Sequence, residues 1–146
     1  MLTMLLTAWA LVAVCVVIHA MGLTAAFEWI KHRKTRADGG FWRATLLLVV
    51  VAGWAILLHL LQISVWAAFY FHTGAIADFQ SALYFSAITY TTTGYGDILL
   101  PEDVRIFSGI EALTGILMCG LTTGMFFAVF ARILGFAGMG SAPDRA

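Results

Sequence analysis

Apolar residues run almost unbroken from Leu2 to Phe27, from Trp42 to Phe71 and from Val104 to Leu134. The first run is about 26 residues long, or roughly 39 Å as a helix rising 1.5 Å per residue. A bilayer core of ~30 Å needs less than that. The second run is long for a span and is expected to tilt. Trp42 at one of its ends, and Trp66 and Tyr70 near the other, suit the two membrane interfaces. A fourth stretch, Phe79 to Tyr90, mixes apolar and small polar residues and is too short to cross. It must enter and leave by one face. Asp78 is placed to cap it, with Ser81 at N3.

The predicted architecture is therefore an all-α membrane protein. An N-terminal helix over 1–27 is followed by a basic loop over 28–41 and a helix over 42–71. The re-entrant helix over 78–91, a loop over 92–97, a helix over 103–134 and a tail over 135–146 complete it. Pro101, Glu102 and Asp103 are expected to start the last helix, with acids at its N-terminus as the macrodipole favours. No cytoplasmic ligand-binding domain is expected after the tail.

Composition narrows the function. The chain is 62% hydrophobic and 11% charged, where a soluble domain carries about a quarter charged residues. Zero net charge gives no case for nucleic-acid binding. Cys15 and Cys119 lie inside apolar runs and read as small packing residues, not a disulfide. No metal-ligand or catalytic spacing occurs, so an enzyme and an organic cofactor are not expected. The first run has no Lys or Arg before Lys31. That argues against a cleaved leader and against a gating-charge helix. A retained helix packed around the outside of the assembly is expected.

The charges also orient the chain. Lys31, Arg33, Lys34, Arg36 and Arg43 crowd one loop, and Arg132 and Arg145 fall on the same side. Basic residues mark the cytoplasm, so the N-terminus is expected outside and the C-terminus inside. An anionic-lipid patch is a further reading of the basic loop. Arg105 is then outside, with Asp78, Asp97, Glu102 and Asp103 forming an acidic mouth that concentrates cations.

Between the short helix and the last span stands Thr91-Thr92-Thr93-Gly94-Tyr95-Gly96-Asp97. Two glycines flank one aromatic, so the backbone can take positive φ at alternate positions. Consecutive carbonyls can then face one way, and with the Thr92 hydroxyl replace the hydration shell of a monovalent cation. This loop, with the preceding Ala82-Leu83-Tyr84-Phe85-Ser86-Ala87-Ile88-Thr89, resembles the potassium-channel family, whose filter reads Thr-Val-Gly-Tyr-Gly-Asp. The resemblance covers roughly residues 41–134. It implies K+ held by Thr92, Thr93, Gly94 and Tyr95 with Gly96 completing the loop, no organic cofactor, surrounding lipid, and three further identical subunits. One loop per chain also makes four-fold closure the economical way to surround an ion.

Three positions depart from the family's commonest pattern. Thr93 stands where Val is usual, and its hydroxyl needs a partner behind the filter. Phe85 stands where many members have Trp, and Tyr84 is the substitute donor to Asp97. Ile88 stands where some members place a Glu paired with the filter Asp, which bears on inactivation rather than conduction. Glu111 is an intramembrane carboxylate, read either as a functional group or as a hydrogen bond to the re-entrant helix or a neighbouring chain. His19 and His59 read as proton sensors or as neutral bonds between helices. Gly115 is expected to bend the last helix, with Gly120 and Gly124 extending the weak zone. Cys119, Thr123 and Phe127 share a face with Gly115, and Phe127, or Phe126 or Phe130, is expected to close the path. A potassium-selective channel is the leading reading. A less selective cation channel, a non-conducting regulatory subunit and a transporter subunit are the alternatives.

Overall fold

The computed structural model describes residues 2–32 and 40–133. Among these it contains helices α1 (Leu2–His32), α2 (Gly40–His72), α3 (Phe79–Tyr90) and α4 (Ile106–Ile133), and no strand. The long three are each apolar enough and long enough to cross a membrane. With 12 residues, α3 reaches only about 18 Å and packs between α2 and α4. Arg33, Lys34, Arg36, the 135–146 tail and Arg145 lie outside the described residues.

Two boundaries differ from expectation. The first helix continues past Phe27 to His32; in this last stretch Glu28 lies 3.6 Å from Lys31 and 3.8 Å from His32, one turn on. The last helix begins at Ile106, not 103, and its first turn holds no acid. Pro101, Glu102 and Asp103 instead belong to a preceding turn. Val104 N–H donates to the Pro101 carbonyl at 3.1 Å, and Arg105 Nε donates to the Leu100 carbonyl at 3.3 Å. The backbone there closes on itself before the helical ladder starts.

Lipid tails are as apolar as leucine, so helices associate through close packing and polar contacts rather than through water exclusion. Both devices are present. Gly22 on α1 leaves room for the Leu58 side chain, and its carbonyl accepts from Trp54 Nε1 at 2.9 Å. One cluster towards the α3 end buries Cys15, Trp66, Tyr70, Phe85, Tyr90, Phe107 and Met118. A second, at the other end, buries Ile30, Leu47, Val51, Met125 and Val129. The first helix contacts both α2 and α4. On α4 the stripe Phe107, Glu111, Thr114, Gly115, Met118, Thr122, Met125 and Val129 faces the bundle, leaving the opposite face bare.

Candidate functional site

The site begins where α3 stops. Asp78 is extended (φ −131°) and accepts from Ser81 N–H at 2.8 Å, which starts the helix. That bond holds the Asp78 carboxyl below its usual range. At the other end the chain leaves the helix without leaving its hydrogen bonds. Thr91, Thr92 and Gly94 N–H groups donate to the carbonyls of Ala87, Thr89 and Ile88 at 3.2, 2.9 and 3.0 Å.

Beyond that anchor the backbone alternates. Thr92, Gly94 and Gly96 have φ of +60°, +52° and +78°, and Thr92 is the one non-glycine residue with positive φ among the described residues. Positive φ at alternate residues is the backbone that the glycine spacing predicts at 94 and 96. A β-branched residue in the left-handed region costs about 1–3 kcal/mol, which local bonding must offset. Residues 91 to 97 are all exposed in the single chain, Tyr95 by 73%.

The supporting residues fall as follows. Thr93 Oγ1 lies 3.0 Å from Thr91 Oγ1, which is the partner its hydroxyl requires. Tyr84 hydroxyl donates to Asp97 Oδ2 at 2.8 Å, and this bond to a carboxylate raises the Tyr84 phenol above its ordinary value. Phe85 is buried and packs edge-on to Tyr70 at 5.2 Å. Ile88 is buried and contributes its carbonyl. Glu111 is fully buried, accepts from Tyr70 hydroxyl at 2.8 Å and is hydrogen-bonded to Ser86 on α3. Ser86 Oγ also lies 2.9 Å from the Ile63 carbonyl. Gly115 is buried against α3 rather than standing free, whereas Gly120 and Gly124 meet nothing within 4 Å. Thr123 hydroxyl donates to the Cys119 carbonyl at 2.9 Å, and Phe127 is 75% exposed on the bare face of α4.

A polar cluster, buried except at the half-buried His59, ties the four helices together. His59 Nδ1 lies 3.0 Å from Tyr90 Oη, and His59 Nε2 lies 3.0 Å from Thr122 Oγ1. His19 Nδ1 lies 2.9 Å from Gln62 Nε2, and His19 Nε2 lies 3.1 Å from Thr122 Oγ1. Tyr90 hydroxyl donates to Gln62 Oε1 at 2.9 Å. The two histidines stand out in the sequence as polar breaks in apolar runs. Gln62 and Thr122 carry the same signal more weakly.

Three long apolar helices and a short one ending in a loop of alternating handedness define a multi-pass membrane protein with a re-entrant loop. A family model described as "Ion channel" matches residues 44–132. The chain belongs to this ion-channel family. No curated protein and no solved structure matches the chain significantly.

Proposed function

We propose that the chain is the subunit of a K+-selective channel, four copies of which surround one filter. The alternation of positive φ at Thr92, Gly94 and Gly96 carries this reading. It leaves the carbonyls of Thr92, Thr93, Gly94 and Tyr95 free to act as ligands for a dehydrated K+ ion, with the Thr92 hydroxyl beside them. The loop is exposed in one chain, and a cation needs oxygen on all sides, which supports a homotetramer. K+ is cargo, moving passively down its gradient.

The orientation proposed keeps the loop and the Asp78, Asp97, Glu102 and Asp103 acids outside, with both the basic loop and the tail inside. Purified protein in liposomes with a K+ gradient tests the function. Flux that is blocked by Ba2+ and absent with Na+ is the expected result. Equal Na+ and K+ flux makes the protein a non-selective cation channel, and no flux makes it a non-conducting subunit.

A further inference from the structure

Hydrogen counting assigns every proton in the polar cluster. Gln62 Nε2 lies 2.9 Å from His19 Nδ1 and 3.1 Å from the Leu58 carbonyl, so its two hydrogens go one to each. His19 Nδ1 is therefore an acceptor. The hydrogen of a neutral His19 sits on Nε2 and is donated to Thr122 Oγ1. Tyr90 gives its one hydrogen to Gln62 Oε1 and can only accept from His59 Nδ1. His59 Nε2 is left to accept from Thr122 hydroxyl. The ring closes head to tail, with every donor used and both imidazoles neutral. The Leu58 carbonyl fixes its direction, because turning the Gln62 amide over would set two oxygens against each other.

An added proton has no place in this ring. On His19 it sets an N–H against the Gln62 N–H. On His59 it removes the acceptor for Thr122. The other titratable groups near Tyr90 are Cys15 on α1 and Cys119 and Glu111 on α4. Among the described residues neither imidazole has a carboxylate within ion-pair distance. Tyr90, the ring member on α3, is two residues from Thr92, and its carbonyl rests on Gly115.

We propose that the ring of His19, Gln62, Tyr90, His59 and Thr122 is a proton-sensitive positioning device for the filter. Neutral, it holds Tyr90 and the base of the loop in the conducting geometry. Protonated at either histidine, the ring opens, between Gln62 and His19 or between Thr122 and His59; its hold on Tyr90 loosens and conduction falls. The proposal rests on the reading of the loop as a K+ filter.

Single-channel K+ currents of the full chain in planar bilayers test it, with histidine 15N NMR alongside. The parent current falls about tenfold from about pH 8 to about pH 5, the range in which imidazole titrates, as the loss of one or two hydrogen bonds implies. Thr122→Val removes two ring bonds without adding charge and carries about a tenth of the parent current already at about pH 8. The His19→Gln, His59→Gln double variant loses the pH response. The spectra at about pH 8 place the hydrogen on Nε2 of His19 and Nδ1 of His59. A parent current indifferent to pH overturns the proposal. So does a pH response that survives in the double variant, a Thr122→Val channel that conducts like the parent, or the opposite pair of tautomers. A parent that carries no K+ at about pH 8 overturns the channel reading, and this proposal with it, whereas the tautomers report on the ring alone.

Discussion

Gly115 of α4 lies so close to the main-chain carbonyl of Tyr90 that a Cβ at 115 would overlap the Tyr90 oxygen and sit 2.9 Å from its carbonyl carbon. The obstacle is backbone, which cannot rotate aside. Bending α4 at this point breaks the contact with α3, so Gly115 is a seat for the re-entrant helix before it is a hinge. Gly115→Ala is expected to destabilise the protein by about 1–3 kcal/mol, the range for overpacking. Gly120→Ala meets nothing within 4 Å and gains up to about 1 kcal/mol of helix propensity. Thermal unfolding in detergent checks the pair: a midpoint lowered by several degrees for the first and unchanged or raised for the second. Equal midpoints count against the contact.

The filter reading makes a sharper demand at Gly96, where φ is +78°. Open space surrounds it, so Gly96→Ala does not clash; it penalises the left-handed backbone. K+ flux is expected to be lost while membrane insertion and yield stay at parent levels. Normal flux in Gly96→Ala liposomes excludes the proposed carbonyl ladder.

Phe127 projects from the side of α4 that its own bundle leaves uncovered. In a four-fold assembly with that side inward, four rings exclude water from the path. Phe127→Ala and Phe127→Asp are expected to give channels that stay open in single-channel records. If these and the matching Phe126 and Phe130 variants close like the parent, closure resides in the loop.

Ser86 has one hydrogen and two neighbours, the Ile63 carbonyl and Glu111. Bonding both at once requires a hydrogen supplied from the Glu111 side, as a carboxylic acid or an amide would supply it. Glu111→Gln is expected to keep parent-like yield. Glu111→Ala leaves the buried Tyr70 hydroxyl without its acceptor, at about 1–3 kcal/mol for the orphaned group, while Ser86 keeps the Ile63 carbonyl. Size-exclusion profiles and thermal midpoints separate the two. A Glu111→Gln protein as unstable as Glu111→Ala refutes the hydrogen count.

Orientation is open to cysteine labelling in a background lacking Cys15 and Cys119. A cysteine at Ala75 is expected to react with impermeant reagents only from outside the cell, and one at Arg36 only from inside. The reverse pattern turns the acidic mouth to the cytoplasm.

The three spans and the re-entrant helix were legible because their signals are coarse: uninterrupted apolar length, and a run too short to cross. The positive φ at Gly94 and Gly96 was legible because glycine alone makes that backbone inexpensive. Thr92 was not, since nothing local favours a left-handed threonine; the hydrogen bond from its own N–H to Thr89 and the Gly94 bond to Ile88 impose it. The start of α4 is not legible, because an acidic cluster after proline resembles a helix N-terminus, while here its backbone bonds close a turn. His19 and His59 were visible as singular residues. Their ring was not, because Tyr90, Gln62 and Thr122 join it only when four helices pack together.

That ring also constrains how the protein is made. His19 and Gln62 are separated by 43 positions, and His19 and Thr122 by 103. A newly synthesised α1 therefore meets the bilayer with an unpaired imidazole in its apolar stretch until α2 arrives. The pair then waits with an unfilled vacancy for the threonine of α4. Release of α1 and α2 into lipid as a hairpin, followed by closure of the bundle when α4 docks, is the order of assembly that leaves fewest polar groups stranded.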